Sequence, residues 1–173
     1  MTEKKQESKI FLMGLENSGK TSIILSLQRD TNLLSYYSLK PTKGIKFIDI
    51  EELHTNFRIW DFGGQIQYRE EHLKKLPEVL DELKKLIYVI DIQDQEKYEL
   101  SLTYFSEILK IVQKENNLPE ISVFFHKFDP QFAMDEKILQ ELIDKVKKTV
   151  PSEFTYTIFK TTIYTIFRKD LLI

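Results

Sequence analysis

Residues 14–21 read Gly-Leu-Glu-Asn-Ser-Gly-Lys-Thr, the G-x-x-x-x-G-K-[ST] pattern of a phosphate-binding loop. Ile10-Phe11-Leu12-Met13 precedes it, an apolar run short enough for a buried strand, and Ser22–Leu27 follows as a helix start. Strand, glycine turn and helix together form the setting this motif requires. The two glycines let the backbone curl so that its N–H groups converge on phosphate oxygens. Lys20 supplies a point charge to the outer phosphates, Thr21 a hydroxyl for Mg²⁺, and the helix N-terminus a favourable dipole. The nucleotide-binding residues expected from this stretch are Gly14, Leu15, Glu16, Asn17, Ser18, Gly19, Lys20, Thr21 and Ser22. The plainer alternative is an ordinary strand–helix connection that happens to contain a lysine.

The rest of the chain alternates in kind. Strands are expected at Lys9–Met13, Gly44–Leu53, Phe57–Trp60, Leu86–Ile90, Ile121–Phe125 and Thr155–Phe159. Helices are expected at Thr21–Arg29, Tyr98–Lys114 and from an Asp135 cap to Lys148, with a short last helix at Ile163–Ile173. Asp30–Lys43 reads as a polar loop, and Tyr68–Leu83 as a helical region broken at Pro77. The second and third strands form a hairpin. Such alternation predicts an α/β fold with a mostly parallel sheet and helices on both faces. Ligands of such sheets sit at the carboxyl ends of the strands, where each motif of this chain falls.

At 173 residues the chain suits one domain, divided here into a polar tail (1–8) and a globular body (9–173). Its net charge of -2 offers no attraction for nucleic acid or an acidic membrane. The absence of cysteine excludes disulfides and prenyl or palmitoyl anchors, and Thr2 stands where N-myristoylation needs glycine. No apolar run approaches a membrane span, so a cytoplasmic location is expected, with any membrane recruitment through partners. The five glycines (14, 19, 44, 63 and 64) all lie in or near candidate phosphate loops.

Asp61 ends the hairpin within Trp60-Asp61-Phe62-Gly63-Gly64-Gln65. An acid there is placed to hold Mg²⁺ through water, Gly63 or Gly64 to give an N–H to a γ-phosphate, and Gln65 to orient an attacking water. Thr42, in Pro41-Thr42-Lys43-Gly44, can join the metal only when the γ-phosphate is present, which makes its loop an order–disorder switch. Expected metal ligands are therefore Thr21, Thr42 and Asp61; expected catalytic residues are Gln65, Lys20 and Thr42. In His126-Lys127-Phe128-Asp129, Asp129 can accept two hydrogen bonds from guanine that adenine does not offer, with the Lys127 stem along the base. Thr161, Thr162 and Ile163 could line the far side of the base. Read singly, these stretches are equally a hairpin exit turn and solvated loops.

Taken together the chain resembles a small GTPase over nearly its whole length. The resemblance implies a six-stranded P-loop G domain that binds GTP and GDP with Mg²⁺, switches between two states and is reset by hydrolysis. Trp60–Gln65, Pro41–Gly44 and Glu16 resemble the Arf group; Met13-Gly14-Leu15, Leu86–Asp91, Phe125–Asp129 and Lys160–Tyr164 are closer to the Rag/Gtr group, which commonly carries a histidine at the His126 place. It further implies effector, exchange-factor and GTPase-activating partners. Rag-type pairing uses a roadblock-type domain beyond the G domain, which this sequence does not include, so constitutive pairing of that kind is not expected; a G-domain or roadblock-type protein is a further candidate partner. Ser38–Thr42 contains no arginine, so slow intrinsic turnover is expected, accelerated by an arginine from a partner. Two other readings stay open: a GTP-binding scaffold with little hydrolysis, and a P-loop kinase or ATPase.

Overall fold

A computed structural model describes residues 6–28, 32–51 and 55–164. Six strands form one sheet: β1 (Gln6–Gly14), β2 (Ile45–Glu51), β3 (Thr55–Phe62), β4 (Leu83–Asp91), β5 (Glu120–His126) and β6 (Tyr156–Lys160). Their order is β2-β3-β1-β4-β5-β6; β2 and β3 are antiparallel and every other pair is parallel. Helices α1 (Lys20–Leu27), α2 (Leu33–Tyr37), α3 (Ile66–Val79), α4 (Tyr98–Lys114) and α5 (Glu136–Thr149) fill the connections. The expected sheet, hairpin and main helices are all present.

Helices cover both faces. On one side, Phe11, Met13, Phe62, Tyr88, Val123 and Phe125 pack against Leu76 of α3, Phe105 and Ile108 of α4 and Leu142 and Val146 of α5. On the other, Leu12, Ile48, Ile59 and Val89 pack on Ile24 of α1. Central strands β1 and β4 therefore carry apolar residues on successive positions, as parallel strands buried on both sides must. Burying such side chains stabilises by roughly 1.5–3 kcal/mol each, which fixes the sheet and with it the loops at its carboxyl edge.

Four local expectations are corrected. The polar stretch 30–43 contains α2, started by Asn32, whose side chain accepts from the Ser35 N–H. α3 runs through Pro77 unbroken, because the proline lies in the last turn and removes only one late backbone bond. The helical region does not reach Leu83, which already belongs to β4. Ile163 and Tyr164 are not helical, and the remainder of the expected last helix, 165–173, lies outside the described residues. The Asp135 cap forms as expected, its carboxylate accepting from the N–H groups of Lys137 and Ile138.

Candidate functional site

The loop between β1 and α1 closes on its own lysine. The Lys20 ammonium donates to the carbonyls of Gly14 (3.0 Å) and Leu15 (2.7 Å) and lies 3.4 Å from Ser18 Oγ. Ser18 Oγ in turn donates to the Leu15 carbonyl at 2.9 Å. Burial holds the Lys20 pKa down at about 8, partly offset by the nearby carboxylates of Asp61 and Glu16. Gly19 adopts φ 93, a left-handed conformation that favours glycine, as the residue preceding α1. Its missing side chain is also required by His126: a Cβ on Gly19 would come within 2.4 Å of the His126 ring.

Three oxygen-bearing side chains meet beside this loop. Thr42 Oγ1 donates to Asp61 Oδ2 at 2.8 Å, Thr21 Oγ1 donates to the same oxygen at 3.2 Å, and the two hydroxyls are 3.1 Å apart. Asp61 is fully buried, and its other oxygen has no hydrogen-bond partner. A buried carboxylate oxygen left unmatched next to two hydroxyls is the donor chemistry that suits Mg²⁺, which takes oxygen ligands and keeps sites open for phosphates and water. Among the described residues no group of three or more His, Cys, Asp and Glu could hold a metal ion.

A cavity of about 540 Å³ opens over these groups, lined by Glu16, Asn17, Gly19, Lys20, Thr21, Ser22, Leu39, Lys40, Pro41, Thr42, Gly64, Gln65 and Lys127. That is within the usual range of a ligand site. Gln65 immediately precedes α3 and its side chain does not cap the helix. Gly64 lies directly on the phosphate-type loop, its carbonyl accepting from Glu16 N–H at 3.0 Å. A Cβ at Gly64 would fall 2.2 Å from the Leu15 carbonyl carbon and 2.3 Å from Glu16 N. Gly64→Ala is expected to cost about 3 kcal/mol, as overpacking against immovable backbone does. Urea unfolding of the ligand-free protein checks this.

The loop after β5 lies at the cavity's edge through Lys127. That residue holds φ 67, unusual for a lysine, and its ammonium pairs with Asp91 at the end of β4. Both Asp129 oxygens are oriented: Gln93 Nε2 donates to one at 2.9 Å, and Thr162 Oγ1 to the other at 2.6 Å. Gln93 also donates to the Lys127 carbonyl at 2.8 Å. The two loops are tied by the Phe128 N–H to the Thr161 carbonyl and by His126 Nδ1 against Thr161 Oγ1 at 2.9 Å. His126 is buried, which lowers its pKa, Lys127 adding to that effect.

The structure thus brings Glu16, Asn17, Gly19–Ser22, Thr42, Gly64 and Gln65 to one cavity, with Gly14, Leu15, Ser18 and Asp61 as its immediate supports. Asp129, Thr161 and Thr162 form an adjoining group with His126 and Lys127. Ile163 is half-buried and is not among the cavity's lining residues. Sequence reading did not single out Asp91 or Gln93 as supports of the Asp129 loop. The only local signal was that both follow the strongly apolar β4, at the edge where ligands of such sheets gather.

Comparison with known proteins identifies relatives of the chain. The conserved region of the Gtr1/RagA G proteins matches residues 9–168. ADP-ribosylation factor 1 of Brassica rapa subsp. pekinensis is 28% identical over 158 residues, covering 90% of this chain and 79% of that protein. ADP-ribosylation factor-like protein 3 of Chlamydomonas reinhardtii is 30% identical over 129 residues, 75% of this chain and 67% of that protein. The Arl6 BBS3 small GTPase of Trypanosoma brucei, solved with the nucleotide analogue GppNp, shares the fold at a TM-score of 0.71 and 20% identity, covering 91% of this chain and 87% of its own. The chain belongs to the Gtr1/RagA family of G proteins, small GTPases with a P-loop G domain, and it carries Arf-like resemblances alongside.

Proposed function

We propose that this protein is a GTP-controlled switch that binds GTP and GDP with Mg²⁺ and slowly hydrolyses GTP to GDP and phosphate. The observation that carries the reading is the meeting of Thr21, Thr42 and Asp61, which joins the loop 39–44 to the phosphate-type loop through one carboxylate. Thr21 and Thr42 would hold the cation directly and Asp61 would support it; bound there, Mg²⁺ supplies charge neutralisation for the outer phosphates. Lys20 adds a second positive charge, and the backbone N–H groups of residues 17–20 and of Gly64 bind phosphate oxygens. Gln65 orients the attacking water. Asp129 reads guanine, with Lys127 along the base and His126 bracing the base loop against Gly19.

Hydrolysis in such a site rests on positioning and charge rather than covalent chemistry. The loop 38–42 offers lysine and no arginine, so turnover is slow until a partner supplies a cation, an effect of ~10³–10⁵ in related systems. Exchange factors, activating proteins and effectors are the regulators this cycle requires, and another G domain or a roadblock-type protein is a fitting companion. Among the described residues no helix is long and apolar enough to cross a membrane. A cytoplasmic protein recruited by its partners suits that and the sequence.

Single-turnover hydrolysis tests the proposal. Gln65→Leu is expected to slow the chemical step by roughly 10²-fold, the scale of a mispositioned attacking water, while GDP affinity stays unchanged. Unchanged turnover in Gln65→Leu would favour a nucleotide-binding scaffold instead.

A further inference from the structure

His72 lies on α3, below the junction of Phe62–Gly64 with the loop that opens β2. It is 2% exposed, and neither ring nitrogen has a hydrogen-bond partner. Its ring meets Phe62 edge-on, with centroids 5.2 Å apart, and stacks over Tyr68 at 6.2 Å. A purely apolar ring would fill this slot without burying two unmatched polar atoms, each of which normally costs stability. The polar edge faces the backbone of Gly44. The Gly44 carbonyl already accepts the Gly63 N–H at 2.8 Å and keeps a second lone pair. Gly63 also lies tight on the loop, since a Cβ there would come 2.3 Å from the Thr42 carbonyl oxygen. Thr42, Gly44, Gly63 and His72 therefore form one continuous contact, and the far end of His72's helix begins beside Gln65.

We propose that His72 is a positioning residue of the switch: its ring N–H docks on the Gly44 carbonyl when loop 39–44 draws onto the nucleotide, keying the start of α3, and so Gln65, to the loop that carries Thr42. The proposal rests on reading the site as a GTP switch. The charged groups around the ring are Glu71 and Lys75 from α3 and Lys20 from the phosphate-type loop. Burial outweighs Glu71 and keeps the ring neutral, the form that can donate to a carbonyl while its other nitrogen stays uncharged. Burial, Lys75 and Lys20 oppose charging of the ring, whereas Glu71 and a bond to the Gly44 carbonyl favour it, so a change in the docking contact changes the pH at which the ring titrates.

The test uses the whole chain, in wild-type form and as His72→Phe and His72→Gln. Phenylalanine fills the slot without a donor; glutamine keeps an N–H donor and does not titrate. GDP affinity, single-turnover GTP hydrolysis between pH 5.5 and 8, and the ring titration of His72 by NMR are measured. The chain has three histidines, so the His72 signal is assigned by its loss in His72→Gln. Expected are hydrolysis about ten-fold slower in His72→Phe and near wild type in His72→Gln, as loss and replacement of one buried hydrogen bond imply. The wild-type ring is expected to titrate at different pH in the GDP form and in the form with a non-hydrolysable GTP analogue. Normal GDP binding, with His72→Phe as fast as wild type and a ring that titrates identically in both forms, would overturn the proposal. If His72→Phe does not fold, an identical wild-type titration in the two forms overturns it alone. Failure of the wild type to bind GDP would instead overturn the switch reading and the proposal with it.

Discussion

Asp129→Asn is expected to lower GDP affinity by ~10²–10⁴-fold and to leave the fold in place. The carboxylate is the group that would accept from guanine, and hydrogen bonds to a charged group contribute about 1.5–3 kcal/mol each. Two of them give the stated range, because every 1.4 kcal/mol is tenfold. Its oxygens are already aimed by Gln93 Nε2 and Thr162 Oγ1, so little ordering remains to be done on binding. Asparagine keeps one acceptor but turns the other position into a donor, so it can no longer accept from both guanine donors. Asp129 is only partly buried, so the ligand-free stability should change by less than about 1 kcal/mol. Titration with a fluorescent GDP, beside thermal melting without nucleotide, separates these two outcomes.

Lys20→Met is expected to abolish nucleotide-induced stabilisation while leaving the empty protein at least as stable. In the absence of phosphates, the Lys20 charge is buried against two carbonyls. Methionine keeps most of the stem and removes the desolvated charge, a change that is often neutral or favourable. A ligand at about 1,000 times its dissociation constant stabilises by roughly 4 kcal/mol, or ~8–16 °C for a chain of this size. The wild type should show that gain with GDP and the variant none. A pH effect follows from the same group. With its pKa lowered to about 8 from 10.5, the buried amine loses its proton more readily than in the unfolded chain. The unfolded state then binds more protons, so ligand-free stability rises with pH between those two values. Phosphates favour the charged amine, so binding takes up a proton above pH 8 and affinity falls as pH rises further. Calorimetric titrations at pH 8.5 in buffers of different ionisation heat measure that uptake.

Much of this site was legible because its parts are local. The glycines and Lys20-Thr21 declare a phosphate loop at fixed spacing; Asp61 and Gln65 stand at fixed distances from Gly63-Gly64; Asp129 follows an apolar strand. The alternation of strands and helices was legible for the same reason, since periodicity belongs to short windows. What the sequence hid depends on distant partners. Gln93 supports Asp129 from 36 residues away, and Asp91 pairs with Lys127 at the same separation. His72 looked like any polar helix residue until packing between Phe62 and Tyr68 buried it. The helix α2 was missed because its five residues are set by the Asn32 cap and not by an apolar stripe. Pro77 does not interrupt α3: its ring removes one bond to the preceding turn, at the Leu73 carbonyl, and the helix ends two residues later.

The central claim, a guanine-nucleotide switch, is tested most directly by displacement of fluorescent GDP from the wild-type protein in the presence of Mg²⁺. GDP and GTP should displace it at near-stoichiometric concentrations, with ATP weaker by ~10⁴-fold, the discrimination a site gains by hydrogen-bonding groups its competitor lacks. Displacement by ATP as readily as by GTP would contradict the account, because Asp129, aimed by Gln93 and Thr162, would then have no base to read.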